Sequence, residues 1–321
     1  MTAWAATTIV VTAALTSCGI GENPDAPASA APTVTTSARP SPTDRPEATT
    51  TTRHDPAGTR VDQRPRDAVT PPTEPPAVAR TASALAADLR VIERVVRDPE
   101  TSERRLARQA HRQQVAYREL ALHPSWLDPV LDALPERLRD DALAHVAARQ
   151  EFLDMQTSLQ DGPPDWRVTP PAPADDLLAW YQGAGETYGV DWEVLASINL
   201  VETAMGRIQS DSVAGAQGPM QFIPETWARW GNGDVRDPYH AIYGAARYLA
   251  ASGAAEGRLD DALFAYNNHV NYVRAIKRYA DIMRRDPQLF RAFHHWQVYY
   301  RSDAGDLLLP EGYPQVPAVA R

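Results

Sequence analysis

The sequence predicts a mainly α-helical protein, and three observations point there. Apolar residues recur at spacings of three and four over residues 80–160 and again over 176–285, the period of helices with one buried face. Capping and helix-opening residues recur through the second of these stretches. Strand character of comparable strength is confined to 296–301 (WQVYYR), room for one short strand.

Taken in order, residues 4–15 (WAATTIVVTAAL) form an apolar run too short to span a bilayer but suited to the h-region of a signal peptide. The run leads into Leu15-Thr16-Ser17-Cys18-Gly19, and LTSC resembles a bacterial lipoprotein lipobox. That resemblance implies a signal peptide over 1–18 and lipidation at Cys18. It implies a protein held by lipid on the outer face of the cytoplasmic membrane; a secreted protein with a chance cysteine is the alternative. Cys18 is the one cysteine in the chain, so no intrachain disulfide can form.

Residues 19–80 hold 12 of the 28 prolines, among Thr, Ala, Ser and Asp, with few large apolar side chains. Too little apolar surface is present to offset the entropy of ordering such a chain, so a disordered linker is expected. A helical region follows over 81–160. Leu85, Leu89, Ile92 and Val96 mark its first helix, Leu106, Ala110, Tyr117 and Leu120 its second, and Leu138, Ala142 and Val146 its third. Residues 161–175, which include GPPDWRVTPPAPAD, read as a second linker because of their proline content.

The remaining residues, 176–321, read as one helical domain whose motifs lie within 191–285. Asp191 is placed to cap a helix from 192, with Val190 packing on Leu195 as a hydrophobic staple. Pro224 opens a short helix that Gly231 closes. Asp237-Pro238 caps and opens another that Gly253 ends. Tyr272, Ile276, Tyr279 and Met283 stripe the last helix.

The formal charge of −9 argues against nucleic acid as a partner, since phosphate binding needs a concentrated basic face. His294-His295 stands without further ligands at metal spacing, so neither a metal nor any other cofactor is expected.

One side chain breaks the pattern. Leu195, Ile198, Glu202 and Met205 share one helical face, which puts a carboxylate on a stripe that should be buried. A buried carboxylate must be paired, protonated or opened to a cleft. Desolvation raises its pKa, and a Glu so raised can donate a proton to a leaving oxygen. A structural Glu held by an Arg fits the same pattern.

Two later stretches bear on that choice. Residues 214–227 read AGAQGPMQFIPETW, a glycine-rich loop, and 262–267 read ALFAYN. The order Glu202-Thr203, Gly218-Pro219-Met220-Gln221, Ala265-Tyr266-Asn267 resembles the three motifs of lytic murein transglycosylases with a goose-lysozyme-like catalytic domain. Asp237-Pro238, Ala241-Ile242, Tyr248-Leu249 and Tyr272-Val273 agree with it further. The resemblance spans about 176–285 and implies a lysozyme-like α-helical fold there. It implies cleavage of the β-1,4 bond between N-acetylmuramic acid and N-acetylglucosamine of peptidoglycan glycan strands, with a 1,6-anhydro product.

By the same resemblance Glu202 is the catalytic acid and Tyr266 the residue whose hydroxyl orients it. Gln221, Met220, Asn267 and Thr203 are the candidate substrate-binding residues. Thr203 stands where Ser is usual, and Pro219 replaces Leu. No second catalytic carboxylate is evident: Asp191 and Asp237 read as caps, and Asp211 lies in a loop outside the motifs. Trp227, Trp230, Tyr239 and Tyr243 suit either sugar stacking or core packing. A lysozyme-like hydrolase and a non-catalytic wall-binding lipoprotein are the competing readings.

Overall fold

In the computed structural model, which describes residues 69–159 and 161–321, the chain is mainly helical. The signal segment, Cys18 and most of the predicted linker lie outside the described residues. Helix α1 (Ala82–Val96) begins where Thr81 accepts the Ala84 amide, and it buries Leu85, Leu89, Ile92 and Val96. Helices α2 (Glu103–Leu122), α3 (Leu127–Ala133) and α4 (Glu136–Met155) complete the amino-terminal group. Here α1 packs on α2 and α3, and α2 packs on α4. No helix among the described residues is long and apolar enough to cross a membrane.

Helices α5 (Ala174–Tyr188), α6 (Trp192–Thr203), α7 (Pro224–Trp230), α8 (Pro238–Ala251), α9 (Leu259–Tyr266), α10 (Val270–Arg285) and α11 (Leu289–His294) follow. Helix α10 carries the predicted stripe and lies between α4 on one side and α6 on the other. The amino-terminal helices and the motif helices therefore share a continuous core.

Residues placed in linkers by their prolines are structured where described. Val78 packs with Val115, Tyr299 and Leu308, and Ala79 packs on the main core, so ordered chain begins before residue 80. Within 161–175, the Val168 amide donates to the Tyr313 carbonyl and the Thr169 amide to the Arg207 carbonyl. Trp166 meets the Tyr300 ring edge-on. Proline marks irregular chain correctly; packing of the few large side chains between prolines decides whether that chain is ordered.

The predicted strand is β1 (Val298–Ser302), and it edges a sheet with two further strands the sequence does not announce. These are β2 (Gly305–Leu309) and β3 (Val319–Ala320), in an antiparallel sheet ordered β1-β2-β3. The register pairs Val298 with Leu309 and Ser302 with Gly305. Side chains alternate across it: Tyr299 and Leu308 face Val115 of α2, whereas Val298, Tyr300 and Leu309 join Val168 and Ile208. The Gln114 side chain clasps the backbone of Gln297, donating to its carbonyl and accepting its amide, each at 2.8 Å.

Candidate active site

Helix α6 is buried on every face from Glu193 to Thr203. Leu195, Ile198 and Met205 are sealed as the stripe requires, and Glu202 is only 3 % exposed among them. Asp191 precedes the helix but does not cap it; its carboxylate reaches 2.8 Å to Arg284 of α10 instead. A cationic partner distant in sequence outcompetes the local amides. Asp237 does cap as expected, accepting the His240 amide at 3.1 Å.

The helix ends abruptly. Ala204, Met205 and Gly206 take consecutive left-handed conformations, which turn the chain back along α6. Close by, Gly218-Pro219-Met220-Gln221 forms a tight hairpin loop, closed by reciprocal backbone bonds between Gln217 and Phe222 at 2.8 and 2.9 Å. Gly218 (φ +72°) must be glycine here, since a Cβ would lie 1.9 Å from the Val235 carbonyl oxygen.

Side chains from two helices hold this loop, and a third helix reaches Glu202. Thr203 Oγ1 donates to the Pro219 carbonyl at 2.6 Å, beside Asn199 Nδ2 at 2.7 Å. The Tyr266 hydroxyl donates to the next carbonyl, that of Met220, at 2.6 Å. From α10, the Tyr272 hydroxyl donates to Glu202 Oε1 at 2.8 Å. Glu202 Oε2 is buried with no donor among the described residues.

These contacts revise the expected roles. Tyr266 lies at the site but spends its hydroxyl on the loop, and Tyr272 makes the bond to the carboxyl. Sequence reasoning took Tyr272 as part of an apolar stripe; its place in the Tyr272-Val273 match was the signal for more. Met220 and Thr203 are fully buried and Asn267 is 1 % exposed, as deep in the fold as Glu202 itself. Thr203 keeps the hydroxyl that Ser would supply, and its extra methyl is accommodated in the core. Gln221 holds a left-handed conformation (φ 50°) and donates Nε2 to the Gly218 carbonyl at 2.9 Å. It too serves the loop's shape.

Electrostatics follow burial. Removal from water pushes the Glu202 carboxyl up to about 8, and the Tyr272 bond, which favours the ionised form, opposes this only in part. Burial also holds the Tyr266 and Tyr272 hydroxyls well above the usual phenol range, with the charge of Glu202 adding to it. Glu202 is therefore a carboxylic acid at neutral pH, with one oxygen held and the other dry. The acids considered as a second carboxylate are engaged elsewhere. Asp191 pairs with Arg284, Asp237 caps α8, and Asp211 pairs with Arg236 at 2.7 Å.

Half-buried rings run from α7 to the site. Trp230 neighbours Tyr248 with ring centres 6.1 Å apart, and Tyr248 neighbours Tyr266 at 5.7 Å. Trp227 packs edge-on against Phe222 of the loop. Tyr239 and Tyr243 lie 4.4 Å apart on α8, with Trp180 of α5 beside them.

Residues 180–286 match the family model of the Transglycosylase SLT domain. Over 119 residues the chain is 33 % identical to membrane-bound lytic murein transglycosylase F of Thiobacillus denitrificans, a span covering 35 % of this chain and 25 % of that protein. Over 121 residues it is 32 % identical to membrane-bound lytic murein transglycosylase F 1 of Alkalilimnicola ehrlichii, covering 35 % of this chain and 24 % of the relative. The chain thus spans about a quarter of the length of the curated relatives it matches. No solved structure matches the chain.

Proposed function

We propose, from a chain that carries an SLT transglycosylase domain over residues 180–286, that the protein cleaves peptidoglycan by lytic transglycosylation with Glu202 as its acid and base. The observation that carries this reading is the setting of that carboxyl: buried, held at Oε1 by Tyr272 and unpartnered at Oε2, surroundings that push its pKa up and favour the protonated form.

In the proposed reaction the Glu202 proton goes to the glycosidic oxygen between N-acetylmuramic acid and N-acetylglucosamine as the C1–O bond breaks. The carboxylate so formed then takes the proton of the muramoyl C6 hydroxyl, whose oxygen bonds to C1. The product is a 1,6-anhydro sugar, and Glu202 is protonated again. Most glycosidases use two carboxylates. An intramolecular hydroxyl needs no second one, because it is already positioned at high effective concentration. Tyr272 is the positioning residue: its hydrogen bond fixes the carboxyl and steadies the anion in the interval between the two proton transfers. Glycan strands outside the cytoplasm are then the substrate, and lipidation at Cys18 would hold the enzyme beside them.

Mass spectrometry of sacculi digested with the purified protein tests this reading. Anhydromuramoyl ends, absent with Glu202→Gln, are expected. Fragments that all carry water at C1 would assign the protein to hydrolysis instead, and no released fragments would favour a binding role.

A further inference from the structure

Behind α6 lies a small cavity lined by apolar side chains and a few polar ones. It has a volume of about 80 Å³ and is bounded by Leu200 and Val201 of α6, by Ala204 just past its end, by α2 and α4, and by the start of β1. Glu202 is not among its lining residues. Arg118, Arg149 and His145 face it.

The charges around it do not balance. Asp306 meets Arg118 at 2.8 Å, Arg149 at 4.0 Å, Arg301 at 3.8 Å and Arg321 at 3.6 Å, and Arg321 also meets Glu119 at 2.9 Å. Four guanidinium groups thus share two carboxylates. Donors are left over as well. Arg149 Nε and both ring nitrogens of His145, a residue only 1 % exposed, have no hydrogen-bond partner. Burial among other arginines pulls Arg149 down to about 9 and His145 well below the usual imidazole range. A guanidinium N–H left unpaired beside an unpartnered imidazole in a largely buried cavity is costly, and an anion relieves that cost.

We infer that this cavity is a binding site for a small carboxylate, held by Arg149 and Arg118 with His145 as a further partner. A guanidinium fork matches the two oxygens of a carboxylate in plane. The volume admits one such head group and little more. Two sources share this chemistry, a free small acid and the terminal carboxylate of a peptide entering from the open side.

The full chain, labelled for observation of histidine side chains, is titrated with acetate and, separately, with N-acetyl-D-alanyl-D-alanine, at ionic strength held constant with sodium chloride. A saturable shift of the His145 ring signals is expected with one or both, and exposed His240 stays unmoved. Acetate alone marks a free acid as the occupant, and a response only to the dipeptide marks a peptide terminus. Arg149→Gln should weaken binding at least tenfold, Arg149→Lys less, and Arg105→Gln on the solvent side of α2 not at all. No saturable shift, an equal response to chloride, or undiminished binding in Arg149→Gln would overturn the assignment. The wild-type titration decides the matter even where a variant fails to fold.

Discussion

The Tyr272 hydroxyl sits 2.8 Å from Glu202 Oε1 across the packed contact between α10 and α6. The other carboxyl oxygen meets no donor among the described residues, so this single bond sets the orientation of the acid. Tyr272→Phe should therefore lower kcat by about tenfold or more through lost orientation, with KM little changed. Because the bond favours the ionised carboxyl, its loss raises the Glu202 pKa further. The basic limb of the pH–rate profile should move to higher pH. A profile that stays in place would separate Tyr272 from the carboxyl.

Tyr266 makes the complementary case. Its hydroxyl holds the Met220 carbonyl, so Tyr266→Phe leaves that acceptor without its donor and loosens the loop. A loss of about 1–3 kcal/mol in stability is expected. KM should rise while the basic limb stays where it is. Denaturant unfolding and steady-state kinetics on the two variants together would distinguish loop anchor from acid orienter.

Thr203 joins α6 to the same loop. Its hydroxyl donates to Pro219 and accepts from the Gly206 amide at 3.1 Å, all out of contact with solvent. Thr203→Ser should stay within about 1 kcal/mol of the parent, whereas Thr203→Val should cost about 1–3 kcal/mol. Chemical denaturation reads both directly. Equal cost for the two would assign the effect to the methyl group.

Burial of Glu202 also has a consequence for stability. The folded carboxyl titrates near 8 against an ordinary value of 4.5, so between those values the folded chain holds a proton that the unfolded chain has lost. The contribution of this carboxyl to stability must then fall as pH rises through this window, by up to about 1.4 kcal/mol per pH unit. Glu202→Gln keeps an acceptor for Tyr272 and removes the titration. The variant should be more stable than the parent at pH 8, with the advantage shrinking towards pH 4.5. Thermal melts of both chains across that range check the sign, and an advantage of Glu202→Gln that fails to grow with rising pH would contradict it.

Much of this arrangement is legible in the chain itself. Period and capping place the helices, and Asp237 caps as its neighbours require. The face carrying Leu195, Ile198 and Met205 predicts where Glu202 is buried. What sequence could not carry depends on pairings distant along the chain. Asp191 gives up its cap for Arg284, 93 residues away. The loop around Met220 reads as a ligand-lining segment, but its carbonyls are claimed by Thr203 and Tyr266. Tyr272 looks apolar in a stripe because periodicity registers a ring and says nothing of where its hydroxyl points. Strand β3 has only two residues, and β2 (GDLLL) shows a run of leucines in place of alternation.

The most direct test of the whole account is the protonation state of one carboxyl. Isotope-edited infrared difference spectra of the parent against Glu202→Gln resolve the Glu202 carbonyl stretch as a function of pH. The protonated band should be present at pH 7 and vanish with a midpoint near 8. A carboxylate already ionised at pH 7, titrating near its ordinary 4.5, would contradict the proposed acid.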